Sequence, residues 1–585
     1  MAYNVSEEGA YAVLFTVLCL FALIAFASAD FFGKCLGNAN NLFVLKQDDE
    51  EGTVDEDGKH VNNNRKADFF LSARDSAPAS AIALSYFASG MGAWVLYGPA
   101  EMGANAQIGW LGVIGYAFAS SAPAVVVFTI GPLIKERCLD KSFNVTDFGR
   151  QRYGRTMQFT IAVFSIFYMF VYMVAEYTSI SNIYGSFVTN PVYEFDPMTV
   201  SVAIGVITIL YTSVGGLPAS IITDKFQGIM VGLLVIMLLF AVSVHPENQL
   251  TVEQWGKASN WTVEGLMAGI TLFIAVLSAE MFNLGTWQRV WSAKSESDMK
   301  KGFIGGSVLI FLLMMFFGIM AMIAYAQDPV AYDTWTKFSF LSFFDLLAPL
   351  APAWHIITLI LVTSLAASSV DTLQNALMSS FSSDLIRLQK HYGFNEEAPK
   401  WIARVLILLL NIPAIYLGAK AYDVLSLFLI ADLVCACAVL PVFFGLMTED
   451  KGPIAAPTEL GAFLGTVCGI FTVVVIGVVV EAEGGLFDYF WLENDAICAL
   501  CGSKTMITFI VTPISAGFFC LFFSKLDVLI RGEESARKPM LTFAGEIPED
   551  EKLDEDNNKD DDNNKEEEAA KEPKQEPVEE TAAGV

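Results

Sequence analysis

The chain has 585 residues, 54% of them hydrophobic, with a mean hydropathy of +0.49. This composition argues against a soluble multidomain protein and for a polytopic membrane protein. The net charge of -28 is concentrated in two acidic blocks, Gln47 to Asp57 and Glu546 to Glu580, which read as solvated segments and argue against nucleic acid as a partner.

Ala10 to Ser28 is an apolar span preceded by Glu7 and Glu8 without a basic flank, so it reads as a retained transmembrane helix rather than a cleaved signal. Lys34, Lys46, Lys59, Arg65, Lys66 and Arg74 follow it, which places that loop in the cytoplasm and the N-terminus outside. Further spans are expected at about 77–99, 108–134, 157–184, 198–218, 227–245, 264–288, 302–326, 354–384, 402–419, 423–447, 458–480 and 504–527, thirteen in all.

With thirteen spans the loops alternate sides, and the basic residues alternate with them. Inside fall Lys135, Arg137, Lys141, Arg150, Arg152, Arg155, Lys225, Lys294, Lys300, Lys301, Arg387, Lys390, Lys400 and Lys451, whereas outside loops carry little beyond Lys257, Lys337, Lys420 and Lys504. The sequon Asn260-Trp261-Thr262 then lies outside, as N-glycosylation requires, and Asn144-Val145-Thr146 lies inside and should be silent. The tail from about Ser524 is cytoplasmic, and an integral protein of the plasma membrane is expected. Nine cysteines are scattered, several in apolar runs (Cys19, Cys435, Cys437, Cys468, Cys520). Only Cys498 and Cys501 are spaced for a local disulfide, and no zinc pattern appears.

Two spans are interrupted. The second carries Gly90, Gly92, Gly98 and Pro99, and the seventh carries Glu280, Asn283 and Gly285. Unwound backbone at membrane depth is tolerated where it lines a cavity, and its freed carbonyls are cation ligands; the alternative is that the glycines serve close helix packing. The two spans each open a block of five and enter from opposite sides, which is the pattern of an inverted-topology repeat.

The ninth span is polar on one face. At 100° per residue Ser364, Ser368, Asp371, Asn375, Ser379 and Ser382 fall within about an 80° stripe, opposite Ala366, Val370, Leu373 and Leu377. Hydroxyls and a carboxylate are costly in a membrane without partners, so the stripe should face a site or a water path. Glu176, in the fourth span, is a further intramembrane acid that meets either a cation or another helix. The histidines His60, His245, His355 and His391 lie in loops or at span ends. No phosphate-cradling Gly loop, H-E-x-x-H or nucleophile constellation appears, so neither ATP-driven transport nor an enzyme is expected.

These residues resemble the sodium/solute symporter family, which includes transporters of proline, choline and urea. Tyr211-Thr212-Ser213-Val214-Gly215-Gly216 with Thr223-Asp224 and Gln227 is similar to the family's YTxxGG…TDxxQ segment. Ala88 to Trp94 resembles the A-S-D-M-S-G-W of proline symporters, and Trp287-Gln288-Arg289 with Ser292-Ala293-Lys294 resembles QR…AAKS. Ser368-Ser369-Val370-Asp371 resembles an SSxD shared with choline transporters, and Asp432-Leu433-Val434 with Pro441 resembles the tenth core helix.

The resemblance covers roughly residues 67 to 530. It implies an all-α polytopic fold with a leucine-transporter-type five-plus-five core, one extra N-terminal helix and two extra C-terminal helices. The corresponding division is 1–75, an N-terminal helix and acidic loop; 76–250 and 251–447, the two repeats; 448–530, the C-terminal helices; and 531–585, a disordered acidic tail for a cytoplasmic partner.

Carried over, the family's sodium site implies the carbonyls of Ala88, Met91 and Leu365 with the hydroxyls of Ser368 and Ser369. Asp371 and Asp224 would be stations for a second ion or for release, and Trp94, Tyr97, Glu280, Asn283 and Trp287 would face the solute. One departure stands out. Gly90 and Gly92 replace an aspartate and a serine of proline symporters, which weighs against proline and leaves H⁺ beside Na⁺ as coupling ion. The expected function is Na⁺-driven symport of a small polar solute such as proline or urea by alternating access, without a cofactor other than the coupling ion. Two alternatives are an H⁺-coupled urea or polyamine symporter and a transport-silent sensor on the same scaffold.

Overall fold

The computed structural model describes residues 5–28, 69, 72–138, 144–188, 196–392, 398–420, 422–449, 455–480, 500 and 502–540, with the backbone alone for 381–392, 398–400 and 480. Both acidic blocks, the Cys498/Cys501 pair and the Ser382 side chain lie outside these residues.

Every extended element among the described residues is a helix. Besides short helices in the connections and after the last span, they are, in chain order, α1 (Glu7–Ser28), α2 (Ala79–Gly90), α3 (Gly98–Gly103), α4 (Gly109–Ser121), α5 (Pro123–Arg137), α6 (Val145–Arg152), α7 (Arg155–Phe187), α8 (Pro197–Val244) and α9 (Val263–Glu280). There follow α10 (Leu284–Ser292), α11 (Glu296–Gln327), α12 (Pro352–Tyr392), α13 (Ala398–Gly418), α14 (Val424–Ala436), α15 (Val439–Phe443), α16 (Glu459–Val480) and α17 (Ser503–Arg531).

Ten stretches are long and apolar enough to cross a membrane, and two further pairs, 79–90 with 93–103 and 424–436 with 439–446, are spans bent by 67° and 45°. The 48 residues of α8 would reach about 70 Å as one rod, more than twice a hydrocarbon core. Gly216 breaks it at φ 59° and ψ -157°, a conformation open to glycine alone. The two halves, 197–215 and 217–244, supply the fifth and sixth of the thirteen expected spans. No loop separates them, because Pro218 sits where its fixed φ starts the next helix at once. The carbonyl of Ser213, just before the break, accepts a 2.5 Å bond from Arg404 Nη2.

Main-chain contacts at their ends show that the two broken spans run antiparallel. Ala77, at the start of the first, bridges Ala293, at the end of the second, with Ser292 O accepting from Ser76 N and Ala77 N (3.0 and 2.8 Å) and Ala77 O accepting from Lys294 N (2.9 Å). Gly109, after the first, bridges Trp261, before the second. Between them α4 and α9 approach so closely that a Cβ on Gly115 would lie 2.6 Å from the Gly269 Cα, the small-residue contact through which membrane helices pack.

Burial orders the helices about this pair. The most apolar stretch of α12 is 83% buried, whereas that of α8 is 28% buried, so α12 is central and α8, whose Tyr211 to Gln227 face is buried, turns its most apolar stretch outward. Leu233, Ile236 and Phe240 on α8, with Phe471 on α16 and Ile514 and Phe518 on α17, are exposed. With every helix bonded internally, such an apolar outer surface is the one a bilayer accepts.

Candidate functional site

The first break begins where the α2 ladder closes, with the Met91 N–H donating to Phe87 O at 3.1 Å. Met91 and Gly92 are extended, and Ala93 to Leu96 form one 3₁₀ turn. The last carbonyls of a helix have no partner in their own ladder, and α7 addresses this stretch. The Tyr172 hydroxyl donates to Gly90 O (2.7 Å) and accepts from Trp94 Nε1 (3.0 Å), while Glu176 Oε2 accepts the Ala93 N–H (2.8 Å).

The second break, at Met281 to Asn283, is closed from within. The Asn283 side chain caps α10 at Gly285 N (3.0 Å) and donates to both Glu280 oxygens (3.3 and 3.1 Å). Glu280 also accepts from Tyr168 OH (2.8 Å) and Thr286 Oγ1 (3.1 Å). A third break, between α14 and α15, lies four residues before Pro441, which has no N–H to offer the Cys437 carbonyl. Gly469 on α16 packs close to that carbonyl, which a Cβ there would approach to 2.6 Å.

Between the breaks lies a cavity lined by the aromatic rings of Trp94, Tyr116, Tyr168, Tyr172 and Phe428 and by two acids, Glu280 and Asp432. Ring centroids of Trp94 and Tyr172 each stand 5.2 Å from Phe428, so these three rings pack together on its wall.

Beneath the first break is a network of buried charge. Arg289 Nη2 pairs with Asp224 at 2.9 Å, with neither side chain exposed, and also donates to Thr372 Oγ1 (3.0 Å). Ser85 and Ser368 each donate to Asp224 at 2.6 Å. Asp371 accepts from Tyr211 (2.9 Å), Ser220 (2.8 Å) and, at 3.4 Å, Thr223 and Thr372. Around the breaks six acids, Glu101, Glu176, Asp224, Glu280, Asp371 and Asp432, are buried or lie on the cavity wall, and Arg289 is the single buried Lys or Arg among the described residues.

Of the residues expected to face the solute, Trp94 and Glu280 line the cavity and Asn283 orders Glu280 behind it. Trp287 is fully buried, donates to Met281 O (2.8 Å) and stacks on Phe443. Tyr97 stacks on Phe340 at 5.6 Å. Neither of the last two is part of the cavity wall. Ala88, Met91, Leu365, Ser368 and Ser369 are all buried. Ser368 points its proton at Asp224, which leaves its lone pairs for a cation, and Ser369 shares its proton between Leu365 O and Ala366 O at 3.2 Å each. The stripe of α12 is thus a packed polar seam: Ser364 and Ser379 return their protons to their own helix, whereas Ser368 and Asp371 reach across to α8.

Sequence reasoning passed over Tyr116, Tyr168, Tyr172 and Phe428 as cavity residues. Tyr168, Tyr172 and Glu176 recur every four residues and so share a face of α7, a periodicity that could have revealed them. Asp432 is a lone acid in an apolar run, which is itself a functional signal in a membrane helix.

Broken spans around an aromatic and acidic cavity suit a membrane protein that binds a solute between its helices. The chain belongs to the sodium:solute symporter family, whose pattern matches residues 69–469. It is 26% identical over 427 residues to the spermidine transporter DUR31 of Candida albicans, covering 72% of this chain and 78% of that one. It is 25% identical over 215 residues to the sodium/sialic acid symporter NanT of Aliivibrio fischeri, covering 33% and 42%. Its fold is that of a Na⁺-coupled sialic acid symporter in a substrate-bound outward-open state, with a TM-score of 0.65 at 15% identity over 88% of this chain and 97% of that one.

Proposed function

We propose that the protein is a secondary active symporter of the plasma membrane that couples Na⁺ entry to uptake of a small organic amine. The observation that carries this reading is the cavity wall, where five aromatic rings stand with Glu280 and Asp432. Ring faces attract cations and the attraction grows when water is excluded, and two carboxylates facing one cavity are best relieved by a positively charged solute. A neutral solute such as urea, or a zwitterion such as proline, would leave that charge unanswered. The likeness to a spermidine transporter points to the same solute class.

Na⁺ coupling rests on the oxygen set of Ala88, Met91, Leu365, Ser368 and Ser369, which supplies hard, uncharged ligands from one unwound segment and one hydroxyl-bearing helix. The N-terminus is outside and the C-terminus cytoplasmic, as the basic residues distribute. Uptake of labelled spermidine, putrescine, choline, urea and proline into vesicles, with and without a Na⁺ gradient, tests the reading. Saturable, Na⁺-stimulated amine uptake is expected; transport of urea or proline that amines do not inhibit would overturn it.

A further inference from the structure

Three rings of the cavity wall have their polar tips committed elsewhere. Trp94 Nε1 donates to the Tyr172 hydroxyl, Tyr172 donates to Gly90 O, and Tyr168 donates to Glu280. Glu280 is committed as well. A carboxylate has about four acceptor positions, and Tyr168, Thr286 and the Asn283 amide, which reaches both oxygens, take them up. These residues offer a solute ring surface and, from Glu280, charge without a free lone pair.

Two polar groups on the wall are uncommitted. Asp432 is 3% exposed, lines the cavity and has no hydrogen-bond partner among the described residues. The charged group that acts on it is Glu280, a second acid, and the buried Arg289 is held by Asp224. The Tyr116 hydroxyl, on α4, is likewise without a hydrogen-bond partner and feels the Asp432 charge. Both placements have local causes. Leu425, Phe428, Leu429 and Asp432 fall at i, i+3, i+4 and i+7, so α14 turns one face to the cavity and ends that face in the acid. Gly98 leaves room for the phenol, because a Cβ there would lie 2.8 Å from the Tyr116 hydroxyl oxygen.

An aromatic wall by itself attracts cations in general and suits a quaternary ammonium, which needs no hydrogen bond. The two uncommitted oxygens add a demand that such a cation cannot meet. A buried carboxylate is costly unless it is both paired and hydrogen-bonded, and a quaternary ammonium has no N–H to give. We propose that Asp432 selects the solute by accepting N–H bonds from a primary or secondary ammonium, with Tyr116 as the second acceptor, so that the cavity takes such amines and rejects quaternary ammonium compounds such as choline. Glu280 adds field without contact, and Leu272, Val276, Leu425 and Leu429 face the alkyl part. The inference rests on the reading above that the protein carries organic amines.

The test uses the purified full-length protein in nanodiscs and titration calorimetry with two probes of equal charge and chain, n-butylamine and n-butyltrimethylammonium. The wild type is expected to bind butylamine about tenfold to a hundredfold more tightly, the worth of a hydrogen bond to a charged group. Asp432→Asn should remove most of that preference, whereas Glu280→Gln should weaken both probes and keep their ratio. A wild type that binds the two equally, or an Asp432→Asn protein that keeps the wild-type ratio, overturns the proposal. If Asp432→Asn does not assemble, Tyr116→Phe should lower the ratio by removing the second acceptor, and an unchanged ratio overturns the proposal. If the wild type binds neither probe nor spermidine, the amine reading falls together with the proposal. Amine binding without the N–H preference brings down the role of Asp432 alone.

Discussion

The Asp224–Arg289 pair should behave as a unit whose halves cannot be removed singly. At 2.9 Å, with both side chains fully buried, two unit charges attract by about 6 kcal/mol at an effective dielectric near 20, much of it offset by the cost of taking both from water. Removing one partner leaves the other charge buried and uncompensated, for which about 3–5 kcal/mol is the usual loss. Asp224→Asn and Arg289→Gln should therefore each destabilise the protein by about that amount. The double variant leaves two neutral amides and should recover most of the loss, giving a coupling energy that approaches the sum of the two single effects. Arg289 also donates to Gly285 O (2.7 Å) and Thr372, so Arg289→Gln is expected to be the worse of the two singles. Unfolding of purified protein in mixed micelles, followed by tryptophan fluorescence, measures all three. Single variants that cost less than about 1 kcal/mol, or a double variant that costs their sum, would refute the view of this pair as a buried, mutually dependent charge unit.

Asp432→Asn and Glu280→Gln should each weaken amine uptake by roughly ten- to a hundredfold in KM, the worth of a charge-assisted contact, with Glu280→Gln the more disruptive because four contacts order that carboxylate; KM values for spermidine provide the check. Ser368→Ala and Ser369→Ala should raise the Na⁺ concentration for half-maximal uptake while surface expression holds, and wild-type half-saturation in both would remove them from the cation site. Asn260→Gln should abolish a glycan-dependent mobility shift, whereas Asn144→Gln should not alter it, since Asn144 is buried and caps α6 at Thr146 N. Deletion after Glu546 should leave transport rate intact, and a truncated protein that reaches the surface yet transports nothing would place the tail in the mechanism.

How much of this was legible in the sequence follows from which signals are local. The breaks at Gly90 to Gly98 and at Asn283 announce themselves because three glycines with a proline, and a capping asparagine beside an acid, each cluster within one span, and the α12 stripe follows from period alone. The break at Gly216 was hidden in plain view: a loop was expected after 218, but a single glycine followed by Pro218 suffices to turn one helix into two. The bend at Cys437 was missed because its cause, Pro441, lies a turn downstream. Partnerships were the least legible. That Glu176 fills the space of a missing side chain at Gly92, and that Arg289 answers Asp224, depend on helices distant in sequence meeting at one point.

The main-chain bonds that join Ala77 to Ser292 and Lys294 also constrain how such a molecule can move. They tie the entrance of one broken span to the exit of the other without any side chain, and the Asp298 carboxylate adds a 3.2 Å bond to Ala79 N. Sliding the two spans past one another at that end would cost this whole set of hydrogen bonds, so the bonds hold the two spans in register there. A proline at Lys294 would remove the one N–H in this set that Ala77 O accepts, so the join is expected to weaken there first.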